Sequence, residues 1–477
     1  SNGLPIDPIP LAVDLDGTLI KTDILVESFI LLVKRHFWKA FLIPLWLTRG
    51  KAYLKEQIAL CVDIDAKHLP YHAEFLGFLV AEHEKGRKLV LATASHRRLA
   101  APIATHLGIF DAVLATEYPD NLSGAKKRDR LIEQFGEKGF DYAGNGLPDL
   151  KIWPHSRKAI LVSPNAGVEK KLRAMASPDR VFPKTANKAA ASIRALRPHQ
   201  WVKNTLIFVP LLAAHLLSDQ AAILHTLLAF MAFCCAASSA YILNDLLDLS
   251  ADREHPRKRN RPFASGQIQA TSGFLMALVL FASAFGIASA LPGYFLAISG
   301  IYYIITLAYS FKLKTYAMLD VLSLAGLYTL RIIAGAAAIP SMPSFWLLAF
   351  SMFMFLSLAL VKRYSELLTM RHEGKEKTAG RGYQTGDLIV LMSAGLASGY
   401  LAVLVLAMYI NSPQVQILYK LPEAIWIICP IMLYWISRIW MITHRGDMPD
   451  DPIVFTFRDK VSLIIGVVCA GVMLVAT

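Results

Sequence analysis

Asn244, Asp245, Asp248 and Asp252 stand where a long apolar run, Ala221 to Leu247, gives way to charge. Asn244, Asp248 and Asp252 recur at i, i+4 and i+8, which places them on one stripe of a helix with Asp245 on its flank. Carboxylates one or two turns apart can share a divalent cation, and that cation can hold a diphosphate. Acids at the end of an apolar span are costly unless something cationic meets them. The next segment, Arg253-Glu254-His255-Pro256-Arg257-Lys258-Arg259-Asn260-Arg261, supplies cations at once. A basic loop after an acidic stripe suits a substrate with several phosphates: metal takes some oxygens, and Arg253, His255, Lys258 and Arg261 take others.

A second pair of carboxylates, Asp14 and Asp16, ends the apolar stretch Leu11-Ala12-Val13 and is followed by Gly17-Thr18. At the C-terminal end of a strand, such a pair sets one carboxylate against a phosphorus and the other against a leaving oxygen. Further basic groups flank the apolar runs. Lys203 and Asn204 follow Arg197-Pro198-His199-Gln200-Trp201; Tyr309, Lys312 and Lys314 precede Asp320; Arg331 lies eleven residues beyond Asp320; and Lys362-Arg363-Tyr364 leads towards the glycine-rich Gly380-Arg381-Gly382-Tyr383. Eleven residues make about three turns, so Asp320 and Arg331 share a helix face roughly 16 Å apart. An arginine that deep must face a bundle interior or a wet cavity.

Two kinds of element must position these groups. Residues up to about 190 have ordinary globular composition, with strand-like runs at Leu11–Val13, Lys88 to Ala92, Ala112 to Thr116, Asp141 to Ala143 and Ala159 to Ser163, separated by helical stretches. That is an α/β parallel-sheet pattern with active residues at strand ends. Beyond lie nine apolar spans, at about 205–218, 222–247, 273–290, 293–311, 317–339, 345–361, 387–410, 421–441 and 461–477. Each approaches the roughly 20 residues that cross a bilayer. The net charge of +13 is concentrated in alternate connections, Arg253 to Gln267, Lys312 to Lys314, Lys362 to Arg381 and Arg438 to Lys460. That distribution fits the positive-inside rule rather than nucleic-acid binding, so no nucleic acid is expected as a partner. It places the N-terminal domain and the aspartates in the cytoplasm and, with nine spans, the C-terminus outside. The five cysteines have no metal-ligand spacing and read as reduced packing residues.

From about residue 194 to 477 the chain resembles the UbiA superfamily of intramembrane prenyltransferases. Asn-Asp-x-x-Asp-x-x-x-Asp from Asn244, then Arg261-Pro262 and Gly266-Gln267-Ile268, carry the likeness. Finer stretches, Leu196 to Asn204, Asp252 to Pro256, Tyr309 to Lys314, Leu330 to Gly335 and Lys362 to Tyr364, are similar to the decaprenyl-phosphate phosphoribosyltransferase branch. Typical prenyltransferases of the superfamily carry a second aspartate-rich motif after the fourth span, where this chain has only Asp320. The resemblance implies an Mg²⁺-dependent phosphoribosyltransferase. Asp245, Asp248 and Asp252 hold the diphosphate of phosphoribosyl diphosphate through the metal, and a polyprenyl phosphate arriving through membrane lipid attacks the anomeric carbon. The product is polyprenyl-phosphoryl-ribose 5-phosphate, a lipid-linked furanose donor for cell-envelope glycans. The other enzymatic reading is transfer of an isoprenyl group from its diphosphate to an aromatic acceptor; a transporter is disfavoured because no internal repeat is found.

Residues from about 8 to 175 resemble the haloacid dehalogenase-type phosphatases. That likeness implies Asp14 as nucleophile and Asp16 as general acid and base. It also implies Thr93 holding the phosphoryl group and Lys127, or Lys126 by register, neutralising the aspartyl-phosphate. Metal would be held by Asp14, Asp16, Asn145 and Asp149, with a helical cap over about 22–85. The motif Gly144-Asn145-Gly146 has an amide where the family usually has aspartate, which predicts weaker Mg²⁺ binding, partly compensated by Asp149. The expected layout is therefore an α/β haloacid dehalogenase-like (Rossmannoid) domain at 1–180, a linker at 181–196 and an all-α polytopic membrane domain with nine transmembrane helices at 197–477, in the inner (cytoplasmic) membrane. A homo-oligomer is compatible with it. The apolar stretch Phe29 to Trp46 can pack within the cap or lie against the bilayer.

Overall fold

The computed structural model describes residues 9–164, 166–175, 177–184, 187–374, 382–413, 415, 419–449 and 451–476. Gly380 and Arg381 of the glycine-rich segment, and parts of the expected linker, lie outside them. The chain divides into two compact units: Ser1–Leu196 with Ile242–Met276, and Arg197–Tyr241 with Ala277–Thr477.

In the first unit, short β-branched and leucine-rich runs form six parallel strands: β1 (Leu11–Val13), β2 (Leu89–His96), β3 (Ala112–Thr116), β4 (Asp141–Gly144), β5 (Ala159–Val162) and β6 (Arg180–Phe182). Their order is β3-β2-β1-β4-β5-β6. Leu11 to Val13 pair with Leu89 to Leu91 on one side and Asp141 to Ala143 on the other. The chain thus winds outward from β1 in one direction and then in the other, leaving a crevice at the carboxyl ends of β1 and β4 where such sheets bind ligands. Leu11, Val13, Leu89, Leu91, Ala143 and Ile160 are buried at its core. The stretch expected as a linker is structured: it holds part of β6 and the helix Lys188–Leu196.

Between β1 and β2 the helices Ile24–Arg35, Phe37–Ala40, Ile43–Thr48 and Lys51–Cys61 form the cap. Asp23 starts the first by accepting from the Val26 N–H, while Lys34 and Arg35 sit at its last turn, where cations suit the helix dipole. Leu31, Leu32, Trp46, Ile58 and Val62 close the cap's own small core. Phe37, Phe41 and Leu45 remain exposed, and Trp38 is 81% exposed.

The same unit includes the end of the helix Gln220–Leu247, the helix Leu249–Glu254 and the loop before the helix Ala270–Ser289. Its attachment is polar and tight. Arg253 donates to both Glu27 oxygens at 2.6 and 2.8 Å and to the Ala264 carbonyl at 3.0 Å. Gly266 has φ +71°, and a Cβ there would lie 2.5 Å from the Lys21 Cβ, so only glycine fits.

In the second unit, helices pack through small residues and hydroxyls. Ser357 donates to the Gly395 carbonyl at 2.7 Å and Ser398 to that of Phe353 at 2.7 Å, while a Cβ on Gly395 would strike Trp440 at 2.0 Å. Close backbone approach of this kind drives association where apolar burial gives no advantage over lipid. Among the described residues seven helices, not nine, are long and apolar enough to cross a membrane: Gln220–Leu247, Ala270–Ser289, Gly293–Phe311, Leu319–Ala338, Phe345–His372, Thr385–Ile410 and Pro422–His444. The expected first span is instead a 3₁₀ helix, Pro198–Phe208, followed by the short helix Val209–Ala213. Its Ile207 carbonyl packs where a Cβ on Gly335 would stand 2.1 Å away. The expected last span, Lys460–Ala476, is a 17-residue helix.

Candidate active sites

At the carboxyl end of β1, Asp14 is buried and one of its oxygens accepts from the Lys127 ammonium at 2.7 Å. Lys127 lies on the helix Ala125–Phe135 and also donates to the Tyr142 hydroxyl at 3.2 Å. Lys126 instead pairs with Asp120 at the surface. Burial pushes the Asp14 carboxyl up to about 6 against the pull of Lys127. Asp16 accepts from the Ile24 N–H at 2.8 Å and the Ser95 hydroxyl at 2.7 Å. Burial, then Asp23 and Asp14, push it up to about 7. Thr93, fully buried on β2, accepts from the Ser95 N–H at 3.0 Å. Of the two, Asp14 is therefore the more readily ionised and Asp16 the more ready to hold a proton.

Asn145, just past β4, lines a cavity of about 90 Å³ together with Asp16, Gly17, Thr22, Asp23 and Gln269. Its amide lies where a Gly17 Cβ would be, 2.2 Å from Nδ2. An acid and an amide side chain lining one small cavity fit a divalent cation, with fewer charges than two carboxylates would give. Asp149 does not supply the missing charge there. One of its oxygens accepts from the Asn145 and Gly146 N–H groups at 3.0 and 2.8 Å, and the other from the Tyr142 hydroxyl at 2.7 Å. It caps the turn after β4 instead.

The acidic stripe lies at the end of the helix Gln220–Leu247 and in the helix Leu249–Glu254. Asn244 passes its carbonyl to the Asp248 N–H at 2.9 Å, and Asp248 its carbonyl to the Asp252 N–H at 2.8 Å, so the stripe continues across the joint. One Arg261 terminal nitrogen stands 3.1 Å from Asp245 and 2.7 Å from Asp252. Lys34, from the cap, meets Asp248 at 3.1 Å. Two carboxylates thus converge on one cationic point, as a divalent ion would require. Burial raises the Asp252 carboxyl above its ordinary value despite Arg261. His255 and Lys258 lie exposed in the following loop, where His255 Nδ1 accepts from the Arg257 N–H at 3.2 Å. Arg253 is spent on Glu27 and the Ala264 carbonyl, so its guanidinium faces protein and not an open phosphate site. Among the described residues the only three His, Cys, Asp or Glu ligand atoms within 4.8 Å of one another belong to Asp65, His68 and Glu254.

In the second unit the basic residues meet buried partners. Arg331 donates to Asn204 at 2.8 Å, to the Tyr302 hydroxyl at 2.9 Å and to the Leu327 carbonyl at 2.7 Å. Asp320 and Arg363, both fully buried, pair at 2.7 Å, with the Tyr383 hydroxyl on Asp320 at 2.6 Å and Glu366 on Arg363. Asp320 and Arg331 share a helix but not a partner. Lys203 pairs with Asp451, and Lys362 approaches the same carboxylate at 3.8 Å. Lys203 and Lys362 hold the Asp451 carboxyl below its ordinary value, against burial, which would raise it. Tyr364 meets His444 at 2.9 Å. Tyr309 is half-buried, while Lys312 is exposed and Lys314 half-buried beyond it.

The UbiA prenyltransferase family matches residues 206–463, over half of the chain. The chain belongs to the UbiA prenyltransferase family. The haloacid dehalogenase-like hydrolase family matches residues 11–129 of this UbiA-family protein, so its N-terminal domain is haloacid dehalogenase-like. It is 38% identical over 472 residues to the protein y4nM of Sinorhizobium fredii, covering 98% of this chain and 91% of that one. It is 40% identical over 277 residues to the nodulation protein NoeC of Azorhizobium caulinodans, covering 57% of this chain and 88% of that one. A decaprenyl-phosphate phosphoribosyltransferase of Corynebacterium glutamicum is 38% identical over 192 residues, 39% of this chain and 58% of the relative. The UbiA-family protein is thus an integral membrane transferase of that family, joined to a hydrolase-like domain.

Four residues near these groups escaped the reading of the sequence: Ser95, Asp451, Glu27 and Lys34. Ser95 sits two residues past Thr93 and was within reach of that motif. Asp451, at a helix N-cap before Pro452, carried a local signal of structure only. Glu27 and Lys34 lie over two hundred residues from their partners.

Proposed function

We propose that this protein transfers 5-phosphoribosyl from phosphoribosyl diphosphate to a polyprenyl phosphate, and that its N-terminal domain then removes the 5-phosphate. The observation that supports it most is the convergence of Asp245 and Asp252 on one cationic point, with Asp248 beside them, in a chain 38% identical over 192 residues to a decaprenyl-phosphate phosphoribosyltransferase. Asp245, Asp248 and Asp252 would hold Mg²⁺ for the donor's diphosphate, and Arg261 is the cation beside them for its oxygens. Bound Mg²⁺ would supply charge neutralisation for the departing diphosphate. An anionic oxygen of the polyprenyl phosphate attacks the anomeric carbon. One C–O bond forms, the bond to diphosphate breaks, and diphosphate leaves with the electron pair. No general base is needed, because the attacking oxygen carries no proton. Lys203 and Lys362, gathered at Asp451, are the cations available to the acceptor's phosphate.

In the N-terminal domain Asp14 attacks the 5-phosphate while Asp16 gives its proton to the ribose oxygen. Lys127 neutralises the phosphorylated Asp14, Asp16 then takes a proton from the water that attacks the phosphorus, and the bond to Asp14 breaks, freeing its carboxylate and inorganic phosphate. The loop Arg253 to Arg261 and the N-terminal domain share one compact unit. That supports the cytoplasmic side of the inner membrane for both. Phe37, Trp38, Phe41 and Leu45 then form the part of the cap that meets lipid.

Membranes containing the protein should convert labelled phosphoribosyl diphosphate and polyprenyl phosphate into an organic-soluble product only when Mg²⁺ is present. Mass analysis should find the ribosyl lipid with and without its 5-phosphate. Prenylation of an aromatic acceptor from an isoprenyl diphosphate, with no phosphoribosyl transfer, would replace this reading with the prenyltransferase one.

A further inference from the structure

We infer that Lys34 of the N-terminal domain is a diphosphate ligand of the transferase: it completes the acidic motif's donor site from outside the membrane domain. The inference rests on the reading that Asp245, Asp248 and Asp252 hold a metal diphosphate.

The cap helix Ile24–Arg35 is fixed against the acidic stripe at two levels. Glu27 and Arg253 form a two-pronged ion pair in which the side chains are 7% and 6% exposed. Seven residues further along, Lys34 meets Asp248 at 3.1 Å. Seven residues are two turns, so Glu27 and Lys34 stand on the same face of the helix. Phe29, between them, sets its ring edge-on to that of Phe274 with centroids 6.3 Å apart. The buried pair fixes the helix, and the helix delivers the ammonium. A buried ion pair is weak evidence of stability but a good device for register.

The two positions differ in how they can respond to a ligand. Arg253 has an inflexible fork with both prongs engaged and no room to turn. Lys34 is 39% exposed and Asp248 21%, so the ammonium can swing on its four-carbon stem. When a divalent cation takes the Asp248 oxygen, the ammonium is repelled from its place. The nearest new anion is the diphosphate on the same metal, and lysine serves phosphate as a point charge. Lys34 and Arg261 then act alike: each neutralises the acids in the absence of donor and the diphosphate in its presence. The N-terminal domain therefore contributes to donor binding independently of any hydrolysis at Asp14.

Titration of the purified full-length protein with magnesium pyrophosphate tests this. Lys34→Ala should weaken binding roughly tenfold. Lys34→Arg should restore it to within about threefold, and Arg35→Ala, one residue along and exposed, should bind as the wild type does. With phosphoribosyl diphosphate as donor, Lys34→Ala should raise KM by a similar factor with less effect on kcat. Unchanged pyrophosphate affinity in Lys34→Ala overturns the inference. So does equal weakening in Lys34→Ala and Lys34→Arg, which would mark a packing role. Wild-type protein that binds magnesium pyrophosphate through Lys34 yet transfers no phosphoribosyl group leaves the contact standing and removes the donor assignment. Wild-type protein that binds no magnesium pyrophosphate removes both.

Discussion

Two sets of carboxylates share one compact unit and are neutralised in opposite ways. Asp14 is met by Lys127, buried, at 2.7 Å, and Asp16 by a backbone N–H and a serine hydroxyl. Every partner comes from a strand end or the first turn of a helix. Asp245, Asp248 and Asp252 are met by Arg261 and Lys34, long side chains that keep 28% and 39% of their surface. The first set is preorganised, its cation enclosed with Asp14 and Tyr142. The second is covered by exchangeable cations that a metal can displace. On the proposed reading a hydrolytic nucleophile needs the former, because Asp14 must attack as an anion and Lys127 must already be in place beside it. A donor site that loads and releases diphosphate each turnover needs the latter.

The largest test removes the preorganised nucleophile. Asp14→Asn should lower the release of phosphate from the ribosyl 5-phosphate lipid by about 10⁴-fold, since the covalent step has no other acceptor. The phosphorylated lipid should accumulate in membranes, as mass analysis would detect. Asp248→Asn should lower phosphoribosyl transfer by about 10³-fold, less than the loss of a nucleophile, because Asp245 and Asp252 still offer ligands. Wild-type transfer in Asp248→Asn would break the comparison on its second side.

A gentler test separates fixed from exchangeable cations. Arg261→Gln leaves Asp245 and Asp252 without the nitrogen that now stands between them. Without metal the variant should melt about 2–4 °C below wild type, and saturating Mg²⁺ should recover most of that difference. A similar response in Lys127→Gln would mean that both sets are merely charge-balanced, and the distinction would disappear. We expect none, because Lys127 also meets Tyr142 and is enclosed with Asp14.

How much of this was legible in the chain follows from how local each signal is. Asp14, Asp16, Thr93 and Asn145 sit at consecutive strand ends, so the alternation of strands and helices places them on one edge of the sheet. The acidic stripe is a run of nine residues and declares itself by spacing alone. Arg331 was harder: an arginine deep in an apolar helix must meet something polar, but only the fold tells that it meets Asn204, Tyr302 and a carbonyl. Asp320 similarly meets Arg363 and Tyr383. The segment 205–218 has the hydropathy of a span, yet Pro198 and Pro210 and the close approach to Gly335 favour short 3₁₀ and α pieces. Hydropathy measures composition and does not distinguish these conformations. The pairing of Glu27 with Arg253 crosses 226 residues and leaves no local trace.

The smallest expected effect concerns Asn145, and it sharpens the comparison from the preorganised side. With Asp14 held near 6 and Asp16 near 7, hydrolysis needs the first ionised and the second protonated. Activity should therefore rise as pH increases through about 6 and fall as it passes about 7. Asn145→Asp is nearly isosteric and adds an anion to the cavity that Asp16 also lines. A neighbouring anion makes ionisation of a carboxyl harder, so at low Mg²⁺ both flanks of the profile should move to higher pH. Added Mg²⁺ neutralises the new charge, and the flanks should return. The apparent affinity for Mg²⁺ should meanwhile improve roughly tenfold, as an anionic ligand replaces an amide oxygen. A profile that ignores both the substitution and the metal would mean that Asn145 does not face the cation. The neutrality of this position would then be a feature of packing against Gly17, where the amide already fills the space of a side chain.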